Sequence, residues 1–182
     1  MTPIPEPVRL TVAVGPDDHH FGRLDAPVSV VEYGDFECPY CGEAYRVLKR
    51  IRAALGDEMV LVFRHFPLAN VHPHAEIASE AVESVGHQGH FWAMHDMVFE
   101  NQSDLSIPAL LTYAAAVGAD PRVVAQELDA RTWQEKVRRD LVGGAKSGVN
   151  GTPTFFIGGF RYDGQWDYAS LLRVLSLIAS DS

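Results

Sequence analysis

No stretch of this 182-residue chain comes near the roughly 20 consecutive apolar residues that a membrane span requires, so membrane insertion is not expected. Basic residues are few: 15 Lys and Arg stand against 24 Asp and Glu, a formal charge of −9. Nucleic-acid partners are not expected either, because neutralising phosphates takes clustered cations. Only RVLKRIR (46–52) is locally basic, and the apolar residues between its charges keep helical period, which makes it a solvated helix face. The first residues, MTPIPEPVRLTVAVG, carry prolines where a signal peptide carries basic residues, and the expected location is cytoplasmic, or extracytoplasmic only for a trimmed mature form. Cysteine occurs only twice, at Cys38 and Cys41. Two cysteines are no disulfide framework, and a bridge closing so short a loop adds little stability, so the pair is expected to serve chemistry or a ligand.

The remaining composition is that of a folded domain with one sizeable core: 20.0 kDa, 47% hydrophobic, 21% charged, mean hydropathy −0.04. VRLTVAV (8–14) alternates apolar and polar residues and predicts a strand. The Gly/Pro/Asp-rich segment GPDDHHFGRLDAP (15–27) predicts a loop, and the nearly continuous VSVVEYG (28–34) a buried strand. Ala44, Leu48, Ile51 and Leu55 form the apolar stripe of a helix ending near Gly56, after which EMVLVFRHFP predicts a second buried strand stopped at Pro67. From about Pro73 to Ser147 the strand signal gives way to five helical patterns, with start signals at Ser106 and Asp120 and stop signals at Gly86 and Gly118. TFFIGGFRYDG then reads as a hairpin turning at Gly158-Gly159, and DYASLLRVLSLIAS as a closing helix.

Cys38 and Cys41 fall where strand character ends and helix begins. The first amides of a helix lack intrahelical partners and the helix dipole is positive there, so an anion is stabilised at that point. Cys38 at the N-cap, followed by Pro39 at the first helical position, is thus expected to have a depressed pKa and to attack disulfides as a thiolate. Cys41, one turn on, faces the same side and is placed to resolve the mixed disulfide. A C-x-x-C can also be half of a zinc site, but tetrahedral zinc takes four ligands and no second cysteine pair exists. Glu32, six residues before Cys38 in a run expected to be buried, would carry a raised pKa and suit proton exchange with Cys41 through water; the alternative is an exposed strand end. Thr152-Pro153 precedes the returning strand. X-Pro bonds are the usual hosts of cis peptides, although the residues alone favour a trans loop proline.

In order along the chain, APVSVVEYGDFECPYC, FRHFPL, HFWAMHDMVFENQ and SGVNGTPTFFIGG resemble the DsbA-like family of thioredoxin-fold thiol-disulfide oxidoreductases, both its soluble bacterial members and the DsbA-like domains fused to transporters. The resemblance runs from about Asp25 to the C-terminus. It implies an α/β thioredoxin-like fold with an α-helical insertion: residues 1–70 and 148–182 form the two parts of the thioredoxin-like domain and 71–147 the insertion. It further implies Cys38 as nucleophile, Cys41 as resolving thiol, Glu32 as buried acid and a cis Pro153 packed against the disulfide. Thr152 would offer backbone hydrogen bonds to a substrate peptide. Pro39-Tyr40 resembles the glutaredoxin dipeptide rather than the Pro-His of strongly oxidising periplasmic members, which leaves a reductase or a milder oxidase open. The short segment before Asp25 leaves no room for the dimerisation domain of the dimeric disulfide isomerases, and a monomer is expected.

The partners expected are protein or peptide thiols and disulfides, with glutathione or a thioredoxin-type system for recycling and no bound cofactor. Tyr40, in the active-site turn, is expected at the surface and, with Pro39 and Thr152, against the substrate. Two other readings compete: a metal or iron-sulfur module using the same cysteines with external ligands, and a peptide-binding module in which the thiols are incidental. His72, His74, His87, His90 and His95 lack spacing that completes a metal site and are expected to be capping and surface residues. Phe91, Trp92, Met94 and Phe99 are expected in the core of the insertion.

Overall fold

The two most continuous apolar runs lie side by side at the centre of the molecule. In the computed structural model, which describes residues 7–181, β2 (Val28–Gly34) pairs in parallel with β3 (Met59–His65), in register from Val28 opposite Met59 to Gly34 opposite His65. Parallel neighbours need a crossover, and α1 (Pro39–Leu55) supplies it, ending where Gly56 adopts φ 53°. β4 (Thr154–Ile157) runs antiparallel to the other edge of β2, placing Phe155 opposite Glu32. β5 (Phe160–Tyr162) closes the hairpin through Gly158 and Gly159, both at positive φ, as a two-residue turn requires. With β1 (His19–Phe21) antiparallel to β3, the sheet order is β1-β3-β2-β4-β5.

Between β3 and β4 lie α2 (Ala75–His87), α3 (Phe91–Glu100), α4 (Ile107–Ala116), α5 (Pro121–Asp129) and α6 (Gln134–Lys146), and α7 (Tyr168–Ser180) follows the hairpin. Asp120 caps α5 by accepting from the Arg122 amide, and Asp167 caps α7 through the amides of Ala169 and Ser170. Among the described residues no helix is long and apolar enough to cross a membrane. Of the three expected segments, residues 1–6 and 182 lie outside the described residues.

One face of the sheet packs against α1 and α7 through Val30, Leu61, Phe155, Leu48, Ile51, Leu171 and Leu175. On the other face Val31, Tyr33, Val62 and Phe156 lie under α6, whose Gly144 approaches so closely that a Cβ there would stand 2.8 Å from Phe66 and 2.9 Å from Tyr33. The insertion has no separate core: Met94, Val98, Phe99, Leu110 and Val124 share one apolar cluster with Phe36, Phe63 and both cysteines. Phe91, Met94 and Phe99 are buried in it, while Trp92 is half-buried and donates its indole N–H to the His20 carbonyl at 2.9 Å.

Two local expectations are corrected. VRLTVAV (8–14) is not a strand; only Arg9 makes a bridge, to Phe160. The Val8 carbonyl and Leu10 amide pair with the Arg161 amide and Gly159 carbonyl around that bridge, and beyond it the Thr11 amide donates to Ser147 Oγ while Arg64 donates to the carbonyls of Val12 and Ala13. Conversely, the expected loop 15–27 contains β1, which takes the free edge of β3 although its own residues show no apolar alternation.

Candidate active site

β2 and α1 meet at the cysteines. Cys38 occupies the N-cap of α1 in extended conformation (φ −72°, ψ 122°), and Pro39 takes the first helical position. A capping side chain stands before the second and third amides of its helix; here those belong to Tyr40 and Cys41, and although the dithiol makes no capping hydrogen bond, both amides favour the charged form of the Cys38 sulfur. The sulfur thus stands where a capping oxygen would, a place that suits an anion. The neighbouring Cys41 thiol is the largest influence drawing the Cys38 pKa down, burial opposes it, and Thr152 and the two amides assist, which brings it to about 5.

Opposite the sulfur stands the Thr152-Pro153 peptide, which is cis, so the residue-based expectation of a trans bond gives way to the one implied by resemblance. Cys38 Sγ donates to the Thr152 carbonyl at 3.4 Å, a contact that favours the protonated thiol. Thr152 Oγ1 is buried without a partner in this dithiol state and so is available to the charged sulfur. Cys41 is wholly buried and accepts from the Asp35 amide at 3.4 Å; burial, then the Cys38 hydrogen bond and the Glu32 charge, push its thiol well above the ordinary value. Pro39 and Tyr40 are exposed, Tyr40 at 61%.

Glu32 is buried at 1% exposure, not at an exposed strand end. No hydrogen bond reaches its Oε1, and burial, with a smaller contribution from the Cys38 charge, pushes its carboxyl up to about 8. No hydrogen bond joins it to either sulfur, so its coupling to them is electrostatic or through water.

Two residues that matter here, Asp35 and Gln102, carry no signal in the sequence analysis, and a third, His72, was expected only as a capping or surface residue. Asp35, completely buried, accepts Cys38's amide on its carbonyl at 3.1 Å, while its carboxylate accepts from the amides of Glu37 and Leu68 and holds His72 Nδ1 at 2.7 Å. Gln102, at the end of the HFWAMHDMVFENQ motif, donates to the carbonyls of Phe36 and Cys38, both at 2.9 Å, and packs on Gly42. His72 is therefore neither a cap nor a bystander, and His74 pairs with Glu37. His95 is also corrected. It is buried among Phe36, Phe63 and Phe99 with Nδ1 bonded to Asp96, which the four-residue spacing of Phe91, His95 and Phe99 along α3 already encoded.

Among the described residues, the group whose donor atoms lie close enough for a metal ion is His65, Glu83 and Asp140, not a set containing the cysteines. The chain places its own cation there: Lys136 Nζ lies 2.6 Å from Asp140 and 3.5 Å from Glu83.

Comparison with known proteins places this geometry. The family model described as thioredoxin matches residues 15–176. The chain is 43% identical over 178 residues to the protein named Na(+)/H(+) antiporter NhaA 1 of Mycolicibacterium vanbaalenii, a match covering 94% of this chain but 28% of that protein. Among solved structures it superposes on BdbD from Bacillus subtilis with TM-score 0.80, 24% identity and coverage of 90% of this chain and 93% of the other. A thioredoxin-like oxidoreductase from Silicibacter pomeroyi gives 0.79 and 23%, covering 92% and 95%. Wolbachia pipientis alpha-DsbA1 gives 0.77 and 21%, covering 92% and 94%. At these identities the three structures show the fold.

Proposed function

The chain belongs to the thioredoxin family and has the DsbA-like form of its fold, and from that premise we propose that it exchanges disulfides with protein or small-thiol substrates through Cys38 and Cys41. The observation that carries this reading is Cys38 at the N-cap of α1, beside the unpaired first amides of the helix, with Cys41 buried one turn behind it.

The Cys38 thiolate attacks one sulfur of a substrate disulfide; a Cys38-substrate bond forms, and the other substrate sulfur leaves as a thiolate that takes a proton from water. That bond removes the Cys38 negative charge, and with it one of the influences raising Glu32 and Cys41. Glu32 then accepts the Cys41 proton through water, and Cys41 attacks Cys38, releasing the second substrate thiolate. The substrate gains two electrons and the protein becomes the disulfide; the reverse sequence oxidises a dithiol. Thr152, at the head of β4, and the exposed Tyr40 and Pro39 form the surface where a substrate peptide lies.

A stabilised thiolate stabilises the dithiol form and makes a couple more oxidising, and a Cys38 pKa of about 5 falls between the values of about 3.5 and 7 that mark strong oxidants and reductants. The same reading puts the potential between about −120 and −270 mV. Cytoplasmic placement, a monomeric working form and recycling by glutathione or a thioredoxin-type system belong to this proposal. Antiporter activity does not, since the chain spans 28% of the protein bearing that name.

Equilibration with glutathione buffers, alongside exchange with a model disulfide peptide, tests it. Cys38→Ser should abolish exchange and Cys41→Ser should accumulate the mixed disulfide. Retained function in Cys38→Ser would establish a peptide-binding module instead, and stoichiometric metal or colour in the purified protein a metal module.

A further inference from the structure

The cysteine turn and the segment between β3 and α2 are fastened by two parallel pairs. DFEC (35–38) supplies Asp35 and Glu37; HPH (72–74) supplies His72 and His74. Asp35 Oδ2 holds His72 Nδ1 at 2.7 Å, and Glu37 Oε1 holds His74 Nδ1 at 3.0 Å. The two pairs differ in setting. Glu37 and His74 are partly exposed, and half of the His74 side chain is in solvent. Asp35 is fully buried, and its main chain bonds both cysteines: the carbonyl accepts from the Cys38 amide and the amide reaches Cys41 Sγ.

A buried carboxylate whose main chain bonds both cysteines adds negative charge to the region where a thiolate must form, and like charges in a poorly solvated site repel. Something must offset Asp35, and His72 is the cation positioned to do it. We infer that His72, anchored by Asp35, is a positioning residue that supplies the compensating positive charge for the Cys38 thiolate. The inference deepens the exchange reading and rests on it.

The charged and titratable groups acting on the imidazole are Asp35 at the end of β2, Glu37 in the turn and Cys38 at the head of α1. Burial draws the His72 pKa down, but the Asp35 hydrogen bond and charge, with Cys38 and Glu37 adding to them, carry it above the ordinary histidine value. His72 is thus protonated in the range where Cys38 becomes a thiolate. Coupling is reciprocal: if the imidazolium stabilises the thiolate, the thiolate holds the proton on the imidazole, and converting Cys38 to a disulfide must lower the His72 pKa. The dipeptide Pro39-Tyr40 contains no cation; His72 provides one from 34 residues away in sequence.

His72→Gln separates charge from scaffold, because the glutamine amide can still donate to Asp35. The test is titration of the Cys38 thiolate by ultraviolet absorbance in the unaltered protein, His72→Gln, His72→Lys and His74→Gln, together with NMR titration of the His72 ring in the dithiol and disulfide forms. His72→Gln should raise the Cys38 pKa by about one pH unit, a tenfold loss of acidity. His72→Lys should recover at least half of that, and His74→Gln should change it less than twofold. The His72 ring should titrate at lower pH in the disulfide form. An acidic Cys38 that His72→Gln leaves unmoved, or a His72 ring indifferent to oxidation, overturns this inference and leaves the exchange reading intact. An ordinary Cys38 pKa in the unaltered protein instead sinks the exchange reading. The NMR comparison needs no variant, so misfolding of His72→Gln cannot leave the question open.

Discussion

Replacing Glu32 by glutamine keeps the side chain's shape and removes its titration, which makes it the sharpest probe of the buried acid. Glu32 rises from 4.5 to about 8 on folding, chiefly through burial. At about 1.36 kcal/mol per pH unit, that displacement corresponds to about 5 kcal/mol. A folded-state pKa above the unfolded one means stability that is fully present below pH 4.5 and is lost as pH rises through about 8. Cys38 works in the opposite sense: its folded pKa lies below the ordinary thiol value, so its contribution is present at high pH and lost as pH falls through about 5. The two slopes offset one another in the unaltered dithiol protein, and Glu32→Gln unmasks the second. Urea unfolding of reduced protein between pH 5 and pH 9 should show the stability of the variant relative to the unaltered chain growing by about 4 kcal/mol across that range. Repeating the comparison with Cys38→Ser in both chains should retain most of the effect, because burial and not the thiolate is the first cause. Two parallel curves, differing by a constant to within about 1 kcal/mol, would refute the reasoning. In the same variant, resolution of the mixed disulfide should slow by at least about tenfold.

Gly42→Ala places a methyl against the Gln102 amide, which must then leave the carbonyls of Phe36 and Cys38; the expected cost is about 1–3 kcal/mol in urea unfolding, and a neutral result would mean that Gln102 does not clamp the turn. Arg64→Met removes the guanidinium that binds Asp18 at 2.8 and 2.9 Å and the carbonyls of Val12 and Ala13, leaving Asp18 short of its main partner; a loss of about 3–5 kcal/mol is expected, and a loss under about 1 kcal/mol would contradict it. Gly144→Ala should force α6 away from Tyr33 and Phe66 at about 1–3 kcal/mol, visible as a lowered Tm; an unchanged Tm would deny the close approach.

The chemistry was readable in the chain because its main parts are neighbours there. A sulfur, the following Pro39, the first helix amides and the second sulfur all fall within four residues, and local rules of helix ends suffice to place them. The same holds for α1 to α7, whose apolar stripes repeat at i+3 and i+4. The core position of His95 was legible on that rule too, but it was expected at a cap or on the surface and not as a member of the Phe91-Phe99 face.

Long-range pairings leave no comparable local mark. β1 is a strand because the edge of β3 has unpaired amides and carbonyls to offer, not because His19, His20 and Phe21 alternate. VRLTVAV alternates, yet beyond Leu10 its backbone is taken by the side chains of Arg64 and Ser147. Thr152 meets Cys38 from 114 residues away, and Asp35 meets His72 from 37. Residue order thus settled which sulfur stands at the head of a helix, since that depends on residues spanning a single turn. Folding alone settled what surrounds that sulfur, since a buried carboxylate, its imidazole and a cis peptide come together only when separate elements close on one core and exclude water from between them.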